Sequence, residues 1–211
     1  MENNNLIVER LKNDNGERFT SQDVITRRRF TPVTEEIISK YTKETFKDKE
    51  EELNKILKLD KNIFITGKMG TGKTTLLNFV LLSNDLKYGI KSNFLDEIYK
   101  KSNVEIVKDV KDFKGDVFII EEIKSLEEIK DLIYLLSNNI KVICTAHVLN
   151  NVTILEKIED FINESEDNSI NLNIKEIKTL FKGTNYIEIR LSIDENLTRK
   201  VSMFNEHKYF L

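Results

Sequence analysis

The sequence predicts an α/β fold: a mostly parallel sheet flanked by helices, with a C-terminal β-hairpin and a short N-terminal arm. Two observations support this prediction. Continuous apolar runs, typical of buried parallel strands, alternate with segments of helical periodicity. In addition, a glycine-rich loop follows one apolar run and opens a helix, as expected at the carboxyl edge of a parallel sheet. The 211 residues suffice for one such domain and a small appendage.

The composition and charge of the chain narrow the range of functions that the protein can have. Charged residues make up 33% of the chain and the net charge is −3, so no overall positive charge points to nucleic acid. The N-terminus lacks the basic start and apolar stretch of a signal peptide, and no apolar run approaches the roughly 20 residues needed to cross a bilayer. We therefore expect a cytoplasmic protein. Peripheral docking of this protein at the inner face of a membrane is compatible with the same pattern. The single cysteine, Cys144, lies in an apolar run and is expected to fill the core.

The first half of the chain is predicted to contain an arm and the beginning of the sheet. Residues 1–23 are polar and are predicted to be a partly disordered stretch or an arm, whereas residues 24–211 are predicted to form the domain. Within it we predict strands at 24–30 and 63–66 and helices at 34–38, 50–59 and from Lys73 onward.

The second half continues the alternation. Segment 84–113 has a mixed pattern, with a short helix predicted around Phe94 and Ile98 and an edge strand at 104–107. Ser125 and Glu128 form a capping-box pattern that predicts the start of a helix. The remaining predicted elements are strands at 116–120 and 140–144, helices at 154–162 and 174–181, and a hairpin at about 185–204, formed by alternating segments 186–191 and 197–203.

The glycine-rich loop matches the pattern G-x-x-x-x-G-K-[ST] of a phosphate-binding loop, or Walker A motif. Glycines permit left-handed turns, and successive backbone N–H groups at a helix N-terminus then surround phosphate groups. Lys73 is expected to reach the β- and γ-phosphates, and the Thr74 hydroxyl is expected to hold Mg²⁺. The sequence thus predicts a nucleoside triphosphate site formed by Gly67, Lys68, Met69, Gly70, Thr71, Gly72, Lys73, Thr74 and Thr75.

Hydrolysis requires further groups near the γ-phosphate. Glu121 and Glu122 directly follow the apolar run at 116–120, which we expect to lie beside the loop strand. Glu121 is predicted to support Mg²⁺ through water, and Glu122 to orient or deprotonate the attacking water. The alternative is that both glutamates only begin a solvated helix. His147 follows the next strand and is predicted to sense the γ-phosphate, the alternative being an incidental loop histidine.

These segments together resemble the secretion ATPases of type II and type IV systems, which drive pilus assembly, secretion and conjugation. Residues 61–78 are similar to the family's Walker A segment, 120–125 to its Walker B segment and 142–147 to its histidine box. Weaker likeness comes from 25–30 and from the C-terminal hairpin. The resemblance implies ATP as the nucleotide, an oligomer or an assembly with related subunits, and docking to a membrane transport complex.

The resemblance also assigns roles to the second group of site residues. It places Glu122 on the family's catalytic glutamate and makes His147 a phosphate sensor. The chain departs from the family in having no arginine between the two Walker segments, in the late position of Asn150 after the histidine, and in the few residues that precede the domain. Within the predicted domain, the arginines available elsewhere to stabilise charge are Arg27, Arg28, Arg29, Arg190 and Arg199.

Three functions remain open at this stage. The first is an ATPase that powers or regulates a macromolecular transport assembly. The second is a nucleotide-binding switch or assembly module that hydrolyses ATP slowly. The third is a DNA-processing ATPase that uses residues 27–29, although consecutive residues of a strand alternate faces and form a poor continuous patch. A nucleotide kinase is disfavoured because the lid region lacks arginines.

Overall fold

The computed structural model describes residues 34–91, 98, 103–148, 152–164, 174–196 and 198–208. The strands in these ranges are β1 (Asn62–Gly67), β2 (Tyr88–Ile90), β3 (Val104–Ile106), β4 (Val117–Ile123), β5 (Lys141–His147), β6 (Tyr186–Ile193) and β7 (Arg199–His207). The helices are α1 (Glu35–Thr45), α2 (Glu50–Leu57), α3 (Lys73–Leu82), α4 (Leu126–Ser137), α5 (Ile154–Glu164) and α6 (Ile174–Lys182), with a short 3₁₀ turn at Val110–Asp112.

The strands form one sheet in the order β3-β2-β4-β5-β1-β6-β7. Every neighbouring pair is parallel except β6 and β7, which form an antiparallel hairpin. The predicted α/β fold with a mostly parallel sheet and a C-terminal hairpin is therefore confirmed. β7 continues to His207, beyond the predicted end at 204.

Helices cover both faces of the sheet. Alternate side chains of β1 enter different apolar clusters: Phe64 packs with residues of α4, α5 and α6, whereas Ile63 and Ile65 pack with residues of α2 and α3. Cys144 is fully buried in the first cluster, as its apolar surroundings in the sequence predict. Within the described ranges, no helix has the length and apolarity needed to cross a membrane.

Several predicted elements differ from the structure or lie outside it. β2 was not predicted, because it has only three residues with Gly89 at its centre. A Cβ atom at Gly89 would lie 2.4 Å from the Phe113 ring, so close packing of that ring explains the glycine. The N-terminal arm, the predicted strand at 24–30 and most of the predicted helix near Phe94 lie outside the described residues.

The start of α4 gives a first testable prediction. The Ser125 hydroxyl accepts a hydrogen bond from the Glu127 backbone N–H at 3.2 Å, and it donates to the Glu128 carboxylate. Loss of such an N-cap typically costs about 1 kcal/mol. We therefore expect Ser125→Ala to lower the free energy of unfolding by about 1 kcal/mol in urea titrations. The control is Ser137→Ala at the exposed last residue of α4, and an equal loss there would contradict the assigned cap.

Candidate nucleotide-binding site

The phosphate-binding loop joins the carboxyl end of β1 to the N-terminus of α3. Its three glycines all have positive backbone φ angles: 146° at Gly67, 79° at Gly70 and 98° at Gly72. Residues with side chains rarely adopt these conformations. A Cβ atom at Gly67 would also lie 2.4 Å from the Leu191 carbonyl oxygen. The glycine spacing is therefore required by the backbone path of the loop and by the strand next to it.

The lysine of the loop points inward. Lys73 is only 9% exposed, and its Nζ donates hydrogen bonds to the carbonyl oxygens of Gly67 at 3.0 Å and Lys68 at 3.2 Å. The Thr71 hydroxyl donates to the same Lys68 carbonyl at 2.8 Å. The ammonium group is thus enclosed by the loop that is predicted to hold phosphates.

The other predicted loop residues line the entrance to α3. Thr74 and Thr75 lie in the first turn of α3 and are partly exposed, as are Met69 and Gly70 in the loop, while Lys68 is exposed. Both threonine hydroxyls belong to the turn whose backbone N–H groups have no partner inside the helix. This turn is the place where an anion would be bound.

The two glutamates lie at an irregularity in β4. The pairing of β4 with β5 shifts register between Ile120 and Ile123, so Glu121 and Glu122 fall at a bulge, and both are partly exposed. Bulges often redirect side chains next to active sites. The Thr145 hydroxyl of β5 donates to the Glu121 carbonyl and ties the bulge to the neighbouring strand.

The structure corrects two expectations about β4. The strand continues to Ile123, so the glutamates lie within it and do not follow it, and they do not begin a helix. β4 is also not adjacent to β1, because β5 lies between them. Short apolar runs of similar composition do not specify the order of the strands across the sheet. The position of β5 between β1 and β4 was therefore not predictable from the sequence pattern.

His147 lies directly beside the loop. It ends β5, and its Cα is paired with that of Gly67 in the parallel register of β5 and β1. Burial lowers the pKa of the imidazole, the positive charge of Lys73 lowers it further, and the negative charge of Glu122 acts in the opposite direction. Lys73 and Glu122 therefore both lie within electrostatic range of His147, and the imidazole is neutral at neutral pH.

This environment predicts how His147 titrates. The folded environment lowers the pKa of His147 and therefore favours the neutral imidazole. The resulting contribution to stability is present above the unfolded pKa of 6.5. It is lost as the pH falls through that value toward the lower pKa of the folded protein. We expect the His147 signal in an NMR titration, assigned with His147→Asn, to have its midpoint below 6.5. A midpoint at or above that value would contradict the described environment.

The arginines considered as charge-stabilising groups have different positions. Arg190 in β6 donates from Nη2 to the Val152 carbonyl at 2.5 Å, and the same atom lies 3.8 Å from a carboxylate oxygen of Glu188. Arg199 in β7 packs against the loop at Gly72. Arg27, Arg28, Arg29 and Asn150 lie outside the described residues.

A buried carboxylate in β6, Glu188, was not predicted from the sequence pattern. Glu188 is 1% exposed, and it accepts a hydrogen bond from the Ile154 backbone N–H at the start of α5, at 3.1 Å. Desolvation raises the pKa of this carboxyl, whereas the hydrogen bond and the charge of Arg190 lower it. In the sequence, Glu188 alternates with Ile187 and Ile189, a pattern that indicates a solvent-facing position. Glu188 is instead buried because the start of α5 covers its side chain.

Comparisons with known proteins support the fold. No protein-family profile matches the sequence, and a search of curated proteins found no match. Among solved structures, the VirB11 ATPase of the Brucella suis type IV secretion system, in complex with sulphate, is similar with a TM-score of 0.60 and 16% identity, covering 90% of this chain and 63% of that chain. The Legionella pneumophila ATPase DotB has a TM-score of 0.49 and 15% identity, with 75% of this chain and 48% of that chain covered.

The pilus retraction motor PilT with bound ADP has a TM-score of 0.47 and 16% identity, with 72% of this chain and 51% of that chain covered. The chain thus spans less than two thirds of the length of each of these proteins. The predicted resemblance is confirmed at the level of fold: this chain has the P-loop α/β fold that the VirB11 secretion ATPase also has.

Proposed function

We propose that the protein binds ATP with Mg²⁺ at the phosphate-binding loop and hydrolyses it. The observation that carries this proposal is the enclosed ammonium of Lys73 at the N-terminus of α3, with His147 paired to Gly67 of the loop and Glu122 in electrostatic range of His147. A helix N-terminus and a buried cation together favour a polyphosphate. The carboxylate and the imidazole supply the groups that hydrolysis needs in addition to binding.

Each residue has a distinct role in this proposal. Lys73 binds the β- and γ-phosphates, and Glu122 orients water and accepts its proton as the water oxygen attacks the γ-phosphorus. The bond from that phosphorus to the β–γ bridging oxygen breaks, and ADP and phosphate result. Neutral His147 donates a hydrogen bond to the γ-phosphate or to the attacking water, since an imidazole without charge retains one N–H donor.

The residues present fit a Mg²⁺ ion bound together with the nucleotide. Mg²⁺ prefers oxygen ligands, keeps several waters and usually takes only one or two ligands from the protein beside the phosphates. Thr74 in the first turn of α3 would supply a hydroxyl, and Glu121 would hold a metal-bound water. Among the described residues no group of three His, Cys, Asp or Glu side chains could hold a metal by itself. When bound, Mg²⁺ would neutralise phosphate charge.

The wider role proposed is to power or regulate a macromolecular transport assembly. The fold shared with VirB11, which is named as a type IV secretion ATPase, supports this role. The proposal includes an oligomer in which a neighbouring subunit supplies a charge-stabilising arginine, because Arg190 is held by Val152 and Glu188. It also includes a cytoplasmic location with peripheral docking at the inner face of a membrane.

A nucleotide-dependent switch with slow turnover is the second candidate. The hydrogen bonds of Lys73 to the Gly67 and Lys68 carbonyls favour it, because phosphates must replace them when the lysine turns toward a nucleotide. The loop would then have two arrangements with different hydrogen bonds. The DNA-processing alternative relies on residues 27–29, which lie outside the described part of the chain.

Steady-state ATP hydrolysis, measured over a range of protein concentrations, tests these functions. We expect Glu122→Gln to lower kcat by about 10²–10⁴-fold, the usual effect of removing a general base, while ATP binding persists. The matched control is Glu105→Gln, which removes one carboxylate from an exposed position of β3.

The outcomes separate the candidates. Specific activity that rises with protein concentration and is lost in Glu122→Gln supports an assembling ATPase. Tight ATP binding with slow turnover that Glu122→Gln does not change supports the switch. Absence of binding to the wild-type protein would contradict both.

A further inference from the structure

The β6–β7 hairpin forms a wall of the phosphate-binding loop. A Cβ atom added to Gly67 would lie 2.4 Å from the Leu191 carbonyl oxygen of β6, and one added to Gly72 would lie 3.3 Å from Cδ of Arg199 in β7. Each strand of the hairpin therefore contacts the loop at a glycine. The hairpin contributes directly to the shape of the site, although it is far from the loop in sequence.

Arg199 brings a permanent charge to this wall. Its Nε and Cζ atoms lie 3.5 and 3.8 Å from the position of a Cβ at Gly72, and Cζ lies 5.1 Å from the centroid of the Tyr41 ring in α1. A guanidinium over an aromatic face is stabilised by the ring quadrupole. Arg199 and Tyr41 also line a narrow cavity together with Thr75, in the first turn of α3.

Three sources of positive potential consequently meet at one end of α3. The helix N-terminus carries a partial positive charge of about half an elementary charge, and Lys73 lies in its first turn. That turn contains no acidic residue. Arg199 adds a full charge beside the N-cap, Gly72. A polyanion is bound favourably where a helix N-terminus and positively charged side chains lie together.

We propose that Arg199 is a nucleotide-binding residue that contacts the phosphate chain from the Thr75 side of the loop. This inference rests on the proposed function and adds a residue to the same site. Because Lys73 is assigned to the β- and γ-phosphates, the remaining end of the phosphate chain, nearer the nucleoside, is left for Arg199. Arg199 therefore strengthens binding of nucleoside diphosphates and triphosphates alike, and it takes no part in the cleavage step.

The test measures dissociation constants of Mg·ATP and Mg·ADP by titration calorimetry for the wild-type protein, Arg199→Gln and Lys200→Gln. Lys200 is the exposed next residue of β7, so its variant removes the same charge from a position that does not line the loop cavity. We expect Arg199→Gln to weaken both nucleotides by about tenfold, the usual effect of one charge-assisted hydrogen bond. We expect Lys200→Gln to change either by less than about twofold.

Further variants separate a role in binding from a role in packing. Arg199→Lys keeps the charge but not the planar guanidinium over the Tyr41 ring, so it is expected to recover only part of the affinity. If Arg199→Gln does not fold, Arg199→Met retains the aliphatic packing against Gly72 and Tyr41 without the charge. A folded Arg199→Gln or Arg199→Met protein with wild-type affinity would overturn the proposal.

The wild-type protein and Lys73→Ala distinguish this proposal from the function on which it rests. If the wild-type protein binds ATP, Lys73→Ala does not, and Arg199→Gln behaves like Lys200→Gln, only the role of Arg199 is wrong. If the wild-type protein binds neither nucleotide, the proposed function fails, and the role of Arg199 fails with it.

Discussion

Lys73→Ala is expected to abolish measurable nucleotide binding while the protein remains folded. The ammonium is enclosed by the loop and donates hydrogen bonds to the carbonyl oxygens of Gly67 and Lys68. Charge-assisted hydrogen bonds to phosphate contribute about 1.5–3 kcal/mol each, so losing this group should weaken ATP binding by about a hundredfold or more. Titration calorimetry with Mg·ATP measures the loss, and circular dichroism checks the fold.

Lys68→Ala is the matched control for this prediction. Lys68 belongs to the same loop and carries the same charge, but its side chain is exposed. Removing it should change ATP affinity by no more than a few-fold, because solvent screens exposed charges. Equal effects of the two substitutions would show that the loop attracts phosphate only through its overall charge and would contradict the specific position of Lys73.

Gly67→Ala is expected to be the most destabilising substitution in the loop. The residue has a φ angle of 146°, and its new Cβ would lie 2.4 Å from the Leu191 carbonyl oxygen and 2.8 Å from the Thr71 hydroxyl oxygen. The first of these contacts involves the backbone of β6, which is paired on both sides and cannot move without breaking its pairing with β1. We expect a loss of about 3 kcal/mol or more in the free energy of unfolding, measured by urea denaturation, from steric overlap and backbone strain together.

Gly183→Ala provides the comparison. A Cβ at this position would have its nearest neighbours at 3.5 and 3.6 Å, which are ordinary contacts. This variant should stay within about 1 kcal/mol of the wild-type stability. The explanation given for Gly67 would be wrong if Gly67→Ala unfolded at the same urea concentration as Gly183→Ala.

The sequence predicted those features that depend on local pattern. Apolar runs identified β1, β4 and β5, and the glycine spacing with Lys73 and Thr74 identified the loop between a strand and a helix. The capping pattern at Ser125 located the start of α4 correctly. In each of these cases the physical cause lies within a few residues, such as backbone conformation, helix capping or the burial of a continuous apolar strand.

Features that depend on distant contacts were not predictable in the same way. β5 lies between β1 and β4, and the apolar sequences of these strands are too similar to indicate which of them are neighbours. The packing of Arg199 between Gly72 and Tyr41 joins three segments that are far apart in the chain. The burial of Glu188 depends on where α5 begins. Such contacts carry no periodic signal, so only the assembled sheet reveals them.

The position of β1 has a consequence for how the protein is made. β1 pairs with β6, and the two partners of one hydrogen bond between them, Thr66 and Ile189, are separated by 123 residues. During synthesis, the loop residues therefore leave the ribosome long before the strands that will enclose them. Pairing over so long a separation is intrinsically slow, and a nascent chain that stops before β6 has an apolar edge of β1 exposed to chaperones and to other chains. Competence to bind a ligand should thus appear only after the hairpin has emerged and joined the sheet.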